Sequence, residues 1–212
     1  AIAKSKKIRI KNTYPEVKEM LRLVGLDPER VMNSYPHELS GGMSQRVMIG
    51  MGLASHPKLL IADEPTSALD VTIQAQILEL LDELAKKMGN AVMLITHDMG
   101  VVAEFCDKVL VMYAGNSVEY ASTATLFEKP LHPYTGGLLQ AVPRVGRTDE
   151  LKAIKGTVPD LVNPPSGCRF HPRCPHAMDI CKVERPPFVE IEPDHYVACY
   201  LFKGKSEVRE DG

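Results

Sequence analysis

No apolar run in this 212-residue chain approaches the roughly 20 residues needed to cross a bilayer, so any membrane role must be exercised through a partner. The opening residues Ala1-Ile2-Ala3-Lys4-Ser5-Lys6-Lys7 contain neither the apolar core of an export signal nor an initiator methionine, and we expect a fragment or a start that lies further upstream. Neither sign of charge dominates. Lys and Arg number 25 against 27 Asp and Glu, a net charge of -2, which implies neither a nucleic-acid partner nor an acidic tail. Internal repeats and low-complexity tracts are absent. So is any Gly-x-x-x-x-Gly-Lys-Ser/Thr run: Gly204-Lys205-Ser206 has Cys199 where the first glycine is required, and no strand-to-helix context surrounds it. The five cysteines follow neither C-x₂-C, zinc-ribbon nor common ferredoxin spacing. Without an export signal they argue for thiol chemistry or metal rather than disulfides.

What is present suits an ordinary globular chain with one good core and a smaller appended module. Pro15 to Leu26 places Val17, Met20, Leu21 and Val24 at helical spacing, with Gly25 ending the pattern. Ser40 reads as the N-cap of an apolar-rich helix over Met43 to Ala54. Lys58 to Asp63 and Ala91 to Thr96 read as strands buried on both faces. Between them, Val71 to Met88 is the strongest helical pattern, with Ile77, Leu81, Leu84 and Met88 on one face and Gly89-Asn90 as C-cap. Met99 to Phe105 predicts a short helix and Lys108 to Tyr113 a third strand. Strands alternating with helices predict a parallel sheet with right-handed crossovers. Composition shifts near Leu126, and Pro130 to Pro193 is rich in Pro, Cys and His with little regular structure expected.

Four short blocks carry chemistry: Leu39-Ser40-Gly41-Gly42-Met43-Ser44-Gln45-Arg46, Leu60-Ile61-Ala62-Asp63-Glu64-Pro65, Ser67-Ala68-Leu69-Asp70 and Ile95-Thr96-His97-Asp98. Asp63-Glu64 places two adjacent carboxylates at the C-terminal end of a strand, the ligand edge of an open α/β sheet. Asp63 can hold Mg²⁺ through water and Glu64 can act as general base on an attacking water; a solvated strand end is the plain alternative. Ser40-Gly41-Gly42 at a helix N-terminus lets backbone N–H groups approach an anion, and simple capping is its alternative. His97 can sense a phosphate or position water, or serve as an ordinary structural histidine. Asp70 can cap the long helix.

In this order and spacing the blocks resemble the signature motif, Walker B strand, D-loop and switch histidine of ABC-type ATPases. His132-Pro133-Tyr134-Thr135 and the cysteine-rich segment bring the resemblance to the ATPase subunits of oligopeptide/dipeptide importers, over nearly the whole chain. It implies an α/β fold, a partial P-loop NTPase ABC core (parallel sheet with helical subdomain) over residues 1–125, and a Cys/Pro-rich C-terminal extension over 126–212. It also implies a role for Ser40, Gly41, Gly42 and Gln45 against the γ-phosphate of ATP held by a partner subunit, and for Asp70 across the same interface. The implied partners are a second ATPase subunit, identical or related, two transmembrane permeases and an extracytoplasmic binding protein; the implied location is the cytoplasmic face of the cell membrane. The transported substrate, whether dipeptide, oligopeptide, nickel or oligosaccharide, is outside the reach of these residues. The P-loop, Gln-loop and adenine-stacking aromatic of the family are not in this sequence, so the 212 residues alone are expected to hydrolyse ATP poorly or not at all.

Cys168, Cys174, Cys181 and Cys199 cluster in a Pro-rich, weakly cored segment, where a metal would supply missing stability. The family resemblance points to a [4Fe–4S] cluster, with Arg169 and Arg173 offsetting its charge. Zn²⁺ is the alternative, with His171, His176 or His195 as substitute ligands. Cys106 reads as a core residue. Two other readings compete: a DNA-repair or chromosome-maintenance ATPase segment, disfavoured by the lack of a long heptad pattern in residues 1–38 and of a basic patch, and an iron–sulfur regulatory module on a degenerate ATPase half, disfavoured by the intact Asp63, Glu64 and His97.

Overall fold

The computed structural model describes residues 13–67, 69–142 and 153–204; Ala68 of the third motif and the Lys205-Ser206 pair lie outside them. The chain divides into two compact units, the first ending at His97 and the second starting at Asp98.

Among the described residues the first element of the first unit is helix α1 (Tyr14–Leu23), whose second residue, Pro15, needs no N–H partner in the first turn. Gly25 then turns the chain at φ +72°. Helix α2 (Pro28–Met32) is capped by the Asp27 carboxylate, which accepts from the Glu29 N–H at 3.1 Å. A 3₁₀ turn (Pro36–Glu38) leads to α3 (Gly41–Leu53), capped as expected by Ser40. Strand β1 (Leu59–Asp63), helix α4 (Val71–Met88) and strand β2 (Ala91–Ile95) complete the unit. The two strands are parallel, in register from Leu59 opposite Ala91 to Asp63 opposite Ile95. Gly89 ends α4 at φ +65°, the left-handed C-cap the sequence calls for, after Lys86 and Lys87 in the last turn. The core is formed by Leu21 of α1 and Val24 at its C-cap, Ile49 and Leu53 of α3, and Ile77, Leu80, Leu81 and Leu84 of α4.

The expectation that both strands are buried on both faces is corrected. Leu60 and Ala62 pack on the helical core, whereas Leu59, Ile61, Met93 and Ile95 on the opposite face are 46–59% exposed. A strand can be apolar throughout and still have one covered face; residue type reports what a face tolerates, not what lies over it.

The second unit contains α5 (Met99–Phe105), β3 (Lys108–Tyr113), β4 (Asn116–Ser122), α6 (Thr123–Glu128), α7 (Pro133–Ala141), α8 (Asp179–Val183), β5 (Val189–Glu192) and β6 (His195–Val197). Its sheet has the order β3-β4-β6-β5 and every pairing is antiparallel. The expected third parallel strand is therefore corrected: Lys108–Tyr113 forms a hairpin with β4. Ala114 at φ +48° and Gly115 at φ +79° make the two-residue turn whose twist matches flanking antiparallel strands. Val111, Tyr113, Val118, Ala121, Leu126 and Phe170 build the core of this unit.

Candidate functional site

The sequence-predicted residues fall into three groups. Asp63 ends β1 opposite Ile95, and Glu64 follows it. The Glu64 N–H donates to the Ile95 carbonyl at 2.9 Å, extending the ladder by one residue, after which the chain turns. The turn requires Glu64 to take φ +42°, a region that L-residues rarely occupy, and the Ser67 N–H and hydroxyl both donate to its carbonyl at 3.1 and 3.0 Å. His97 lies two residues beyond the end of β2. Its Nδ1 donates to Glu64 Oε1 at 3.0 Å. Both side chains are open to solvent, 48% exposed for Glu64 and 83% for His97, so the contact orients more than it stabilises. The three predicted strand-edge residues thus meet at the C-terminal edge of the parallel pair.

Ser40, Gly41 and Gly42 form the second group. The Ser40 hydroxyl accepts from the Met43 N–H at 3.3 Å, and Gly41 is exposed at the tip of α3. A Cβ on Gly42 would stand 2.9 Å from Ile73 of α4, so this glycine permits helix contact as well as backbone exposure. A Cβ on Gly41 would meet Leu69 at 3.3 Å, which places the α3 tip beside the start of α4. There Asp70 caps α4 by accepting from the Ile73 N–H at 3.0 Å. Gln45 lies one turn into α3 and is half-buried. Among the described residues no hydrogen bond links this helix-tip pair to the Asp63, Glu64 and His97 group. Arg46, the last residue of the same motif, has a role that its sequence context alone did not reveal. Its Nη1 donates to the Val24 carbonyl at 3.0 Å, satisfying the end of α1 beneath Gly25.

The third group lies in the second unit. Cys168, Cys174, Cys181 and Cys199 line a single cavity together with His132, Phe170, His171, His176 and Tyr200. Burial pushes the Cys168 and Cys174 thiols up, and that of Cys199 to about 11, with neighbouring cysteines adding to each effect. The Cys168 N–H donates to the Cys181 carbonyl at 2.9 Å, joining two of the four through the backbone. Among the described residues, however, no group of three or more His, Cys, Asp or Glu is arranged to hold a metal ion. His195, considered as a zinc ligand, is instead bound to Glu119. Arg169 donates to the Ala114 carbonyl, and Arg173 to the carbonyls of Ile154 and Lys155 and, at 3.3 Å, to the Tyr113 hydroxyl; both arginines tie loops together. Cys106 is half-buried at the end of α5 rather than in the core.

Glu119 was not visible as a site residue in the sequence. It is fully buried on β4 and accepts from the N–H groups of Leu131 and His132 at 2.7 and 2.9 Å and from His195 Nε2 at 2.8 Å. His132 is 2% exposed, and burial lowers its pKa to about 4, so the ring is neutral. Its Nδ1 accepts from the Tyr134 N–H at 3.1 Å as the N-cap of α7. His132 and Tyr134 both pack on Phe170, with ring centroids 5.7 and 5.4 Å away. The His-Pro-Tyr motif and the cysteine segment, separate in sequence, are therefore neighbours around one cavity.

The chain matches two family models, "ABC transporter" over residues 3–67 and "Oligopeptide/dipeptide transporter, C-terminal region" over residues 118–181. It is 52% identical over 200 residues to the oligopeptide transport ATP-binding protein AppD of Bacillus subtilis, covering 93% of this chain and 61% of that protein. To the oligopeptide transport ATP-binding protein OppD of Salmonella typhimurium it is 53% identical over 189 residues, covering 88% and 56%. It is likewise 53% identical over 186 residues to the dipeptide transport ATP-binding protein DppD of Caldanaerobacter subterraneus, covering 87% and 57%. Among solved structures, cbiO1 of Clostridium perfringens, part of the ABC transporter complex cbiONQ, aligns with a TM-score of 0.51 at 32% identity, over 57% of this chain and 48% of that one. The chain spans 56 to 61% of the length of the three curated relatives. It belongs to the ABC transporter ATP-binding proteins of the oligopeptide/dipeptide group, whose motifs it carries from the signature onward.

Proposed function

We propose that this chain is the signature-bearing portion of an ATP-hydrolysing subunit that powers a membrane importer of peptides. The observation that carries the reading is the His97–Glu64 hydrogen bond, 3.0 Å long, at the edge of the parallel pair directly after Asp63. Glu64 takes the proton of a water attacking the γ-phosphate of ATP, and His97 holds that carboxylate in line. Asp63, exposed at the strand end, fits a water-mediated Mg²⁺ whose charge offsets the phosphates. Ser40, Gly41, Gly42 and Gln45 contact the γ-phosphate of a nucleotide bound mainly by a second subunit, and Asp70 joins that interface. The helix dipole and exposed N–H groups at the tip of α3 support this. The main phosphate cradle is not among these 212 residues, so hydrolysis requires a longer polypeptide that supplies it.

In that assembly the partners are a second ATPase subunit, identical or related, two permeases and an extracytoplasmic binding protein, and the subunit sits on the cytoplasmic face of the membrane. Among the described residues no helix is long and apolar enough to cross a membrane. Residues 1–125 act as the ATPase part and 126–212 as the importer-specific extension. The [4Fe–4S] cluster that the family resemblance implies, or Zn²⁺ as its alternative, would fall to Cys168, Cys174, Cys181 and Cys199, which line one cavity but, among the described residues, form no group arranged to hold a metal ion.

The test uses the full-length subunit with its partners. Glu64→Gln is expected to retain ATP binding while steady-state hydrolysis falls by 10²-fold or more, on the order of a lost general base. Unchanged turnover removes Glu64 from the mechanism.

A further inference from the structure

We propose that the cleft beside the β3–β4 turn binds a phosphate group between Arg169 and Arg185. The site lies wholly within the second unit and does not depend on the ATPase reading or on a metal in the cysteine cavity.

Asn116 and Ser117 of the hairpin, Arg169 with Phe170, and Arg185 shortly after α8 line this cleft, and no carboxylate lines it with them. Among the described residues neither arginine has a carboxylate partner, and Glu184, next to Arg185, accepts from the Tyr200 hydroxyl at 3.4 Å. Two guanidiniums without a counter-charge repel each other, and an anion between them relieves that repulsion. Arg169 is positioned in advance. It is half-buried, and its Nη1 donates to the Ala114 carbonyl in the turn. Gly115, at φ +79°, leaves it room, since a Cβ there would stand 3.3 Å from that nitrogen. This contact leaves most of the planar N–H fork for a ligand. The floor is apolar: Phe170 is 2% exposed and stands edge-on to Tyr113, with ring centroids 5.1 Å apart. Charges held over such a floor are less screened than in open water. The side chains of Asn116 and Ser117 have no hydrogen-bond partner among the described residues, so an amide and a hydroxyl are also free beside the two cations. Charge and size then select the ligand. Two guanidiniums match a phosphate dianion better than a carboxylate monoanion. The enclosed space is about 20 Å³, enough for one phosphate oxygen, so the rest of the molecule stays outside the cleft. Inorganic phosphate, a soluble phosphomonoester and the headgroup of phosphatidic acid share this chemistry.

The experiment uses the full-length subunit with its nucleotide sites filled by a stoichiometric, non-hydrolysable MgATP analogue, and titrates inorganic phosphate by calorimetry. Phosphate is expected to bind Arg185→Gln about tenfold more weakly than the wild type, the scale of one hydrogen bond to a charged group, and Arg185→Lys is expected to recover part of the loss. Arg185 is exposed, so Arg185→Gln is expected to keep the wild-type melting temperature. If it unfolds, Arg169→Lys is read in its place, because it keeps the charge and loses the fork. Flotation with vesicles of phosphatidic acid in phosphatidylcholine, against phosphatidylcholine alone, separates the sources. Arg185-dependent flotation assigns the lipid headgroup, and phosphate binding without it assigns a soluble phosphate; both support the site. Wild-type affinity in the folded variant overturns the proposal, as does a wild type that shows neither phosphate binding nor Arg185-dependent flotation. Acetate that displaces phosphate at equal concentration overturns the choice of ligand and marks a carboxylate site.

Discussion

Gly167 shows how a single residue governs the cysteine cavity. It sits at φ +63°, and a Cβ there would lie 2.4 Å from the Cys181 carbonyl oxygen and 3.0 Å from that of Glu184. Both are backbone atoms and cannot swing aside. Gly167→Ala is therefore expected to destabilise the fold by about 3 kcal/mol or more, read as a lowered denaturant midpoint in urea. A wild-type midpoint contradicts the geometry. Glu64 presents the opposite choice. It keeps a carboxylate at φ +42°, where glycine costs less, a strain on the order of 1–3 kcal/mol. That strain is maintained where the chain passes from β1 into the turn and presents its side chain to His97. The carboxylate was legible as a candidate because Asp63-Glu64 follows an apolar run. Its backbone strain was not, since nothing in Glu64-Pro65-Thr66-Ser67 specifies the sign of φ.

At the scale of elements, the capping residues were the most legible feature. Ser40 and Asp70 both cap where the sequence places them, by accepting an N–H three residues on, and Gly89 closes α4. Asp70→Ala is expected to cost about 1 kcal/mol of stability, and Asp70→Asn to restore most of it. Thermal or urea unfolding of the three proteins checks this. If Asp70→Asn is stable while ATPase activity in the full assembly remains low, capping and interface roles are separated; equal stability of all three contradicts the cap. The hairpin of β3 and β4 was not legible. Tyr113-Ala114-Gly115-Asn116 lacks the Asn-Gly or Asp-Gly pair that marks a type I′ turn, so β3 read as one more parallel strand. Missing β4 also hid Glu119, because a glutamate outside a recognised strand has no face to be assigned to.

At the scale of the molecule, acid sensitivity follows from the buried His132. Its folded pKa of about 4 lies below the ordinary 6.5, so the unfolded chain takes up a proton first as pH falls. Stability contributed by the neutral ring is full above pH 6.5 and is lost progressively down to about pH 4, by roughly 3 kcal/mol in all at 1.36 kcal/mol per pKa unit. Urea denaturation between pH 7.5 and pH 4 is expected to show this slope in the wild type and a flatter one in His132→Asn; identical slopes dismiss His132 as the source. The two compact units divide the chemistry between them. The first holds the strand edge and the helix tip, and the second holds the cysteine cavity and the buried Glu119–His195 pair.

The sequence by itself determined α1, α3, α4 and α5, the caps at Ser40, Asp70 and Gly89 and the order of the ABC motifs, because these depend on neighbours within a few positions and on the 3.6-residue period; α2, α6, α7 and α8 are too short for that period to show, and the last two, with β5, correct the expectation of little regular structure over Pro130 to Pro193. It also determined that Asp63, Glu64 and His97 share a sheet edge, since two apolar runs joined by a long helix must lie parallel. Only the tertiary structure decided which strand faces are covered, that β3 turns back on β4, and that His132, Phe170 and four scattered cysteines surround one cavity. Those outcomes rest on contacts between residues far apart in the chain, and no local pattern of residue types encodes the partner of a side chain that lies dozens of positions away.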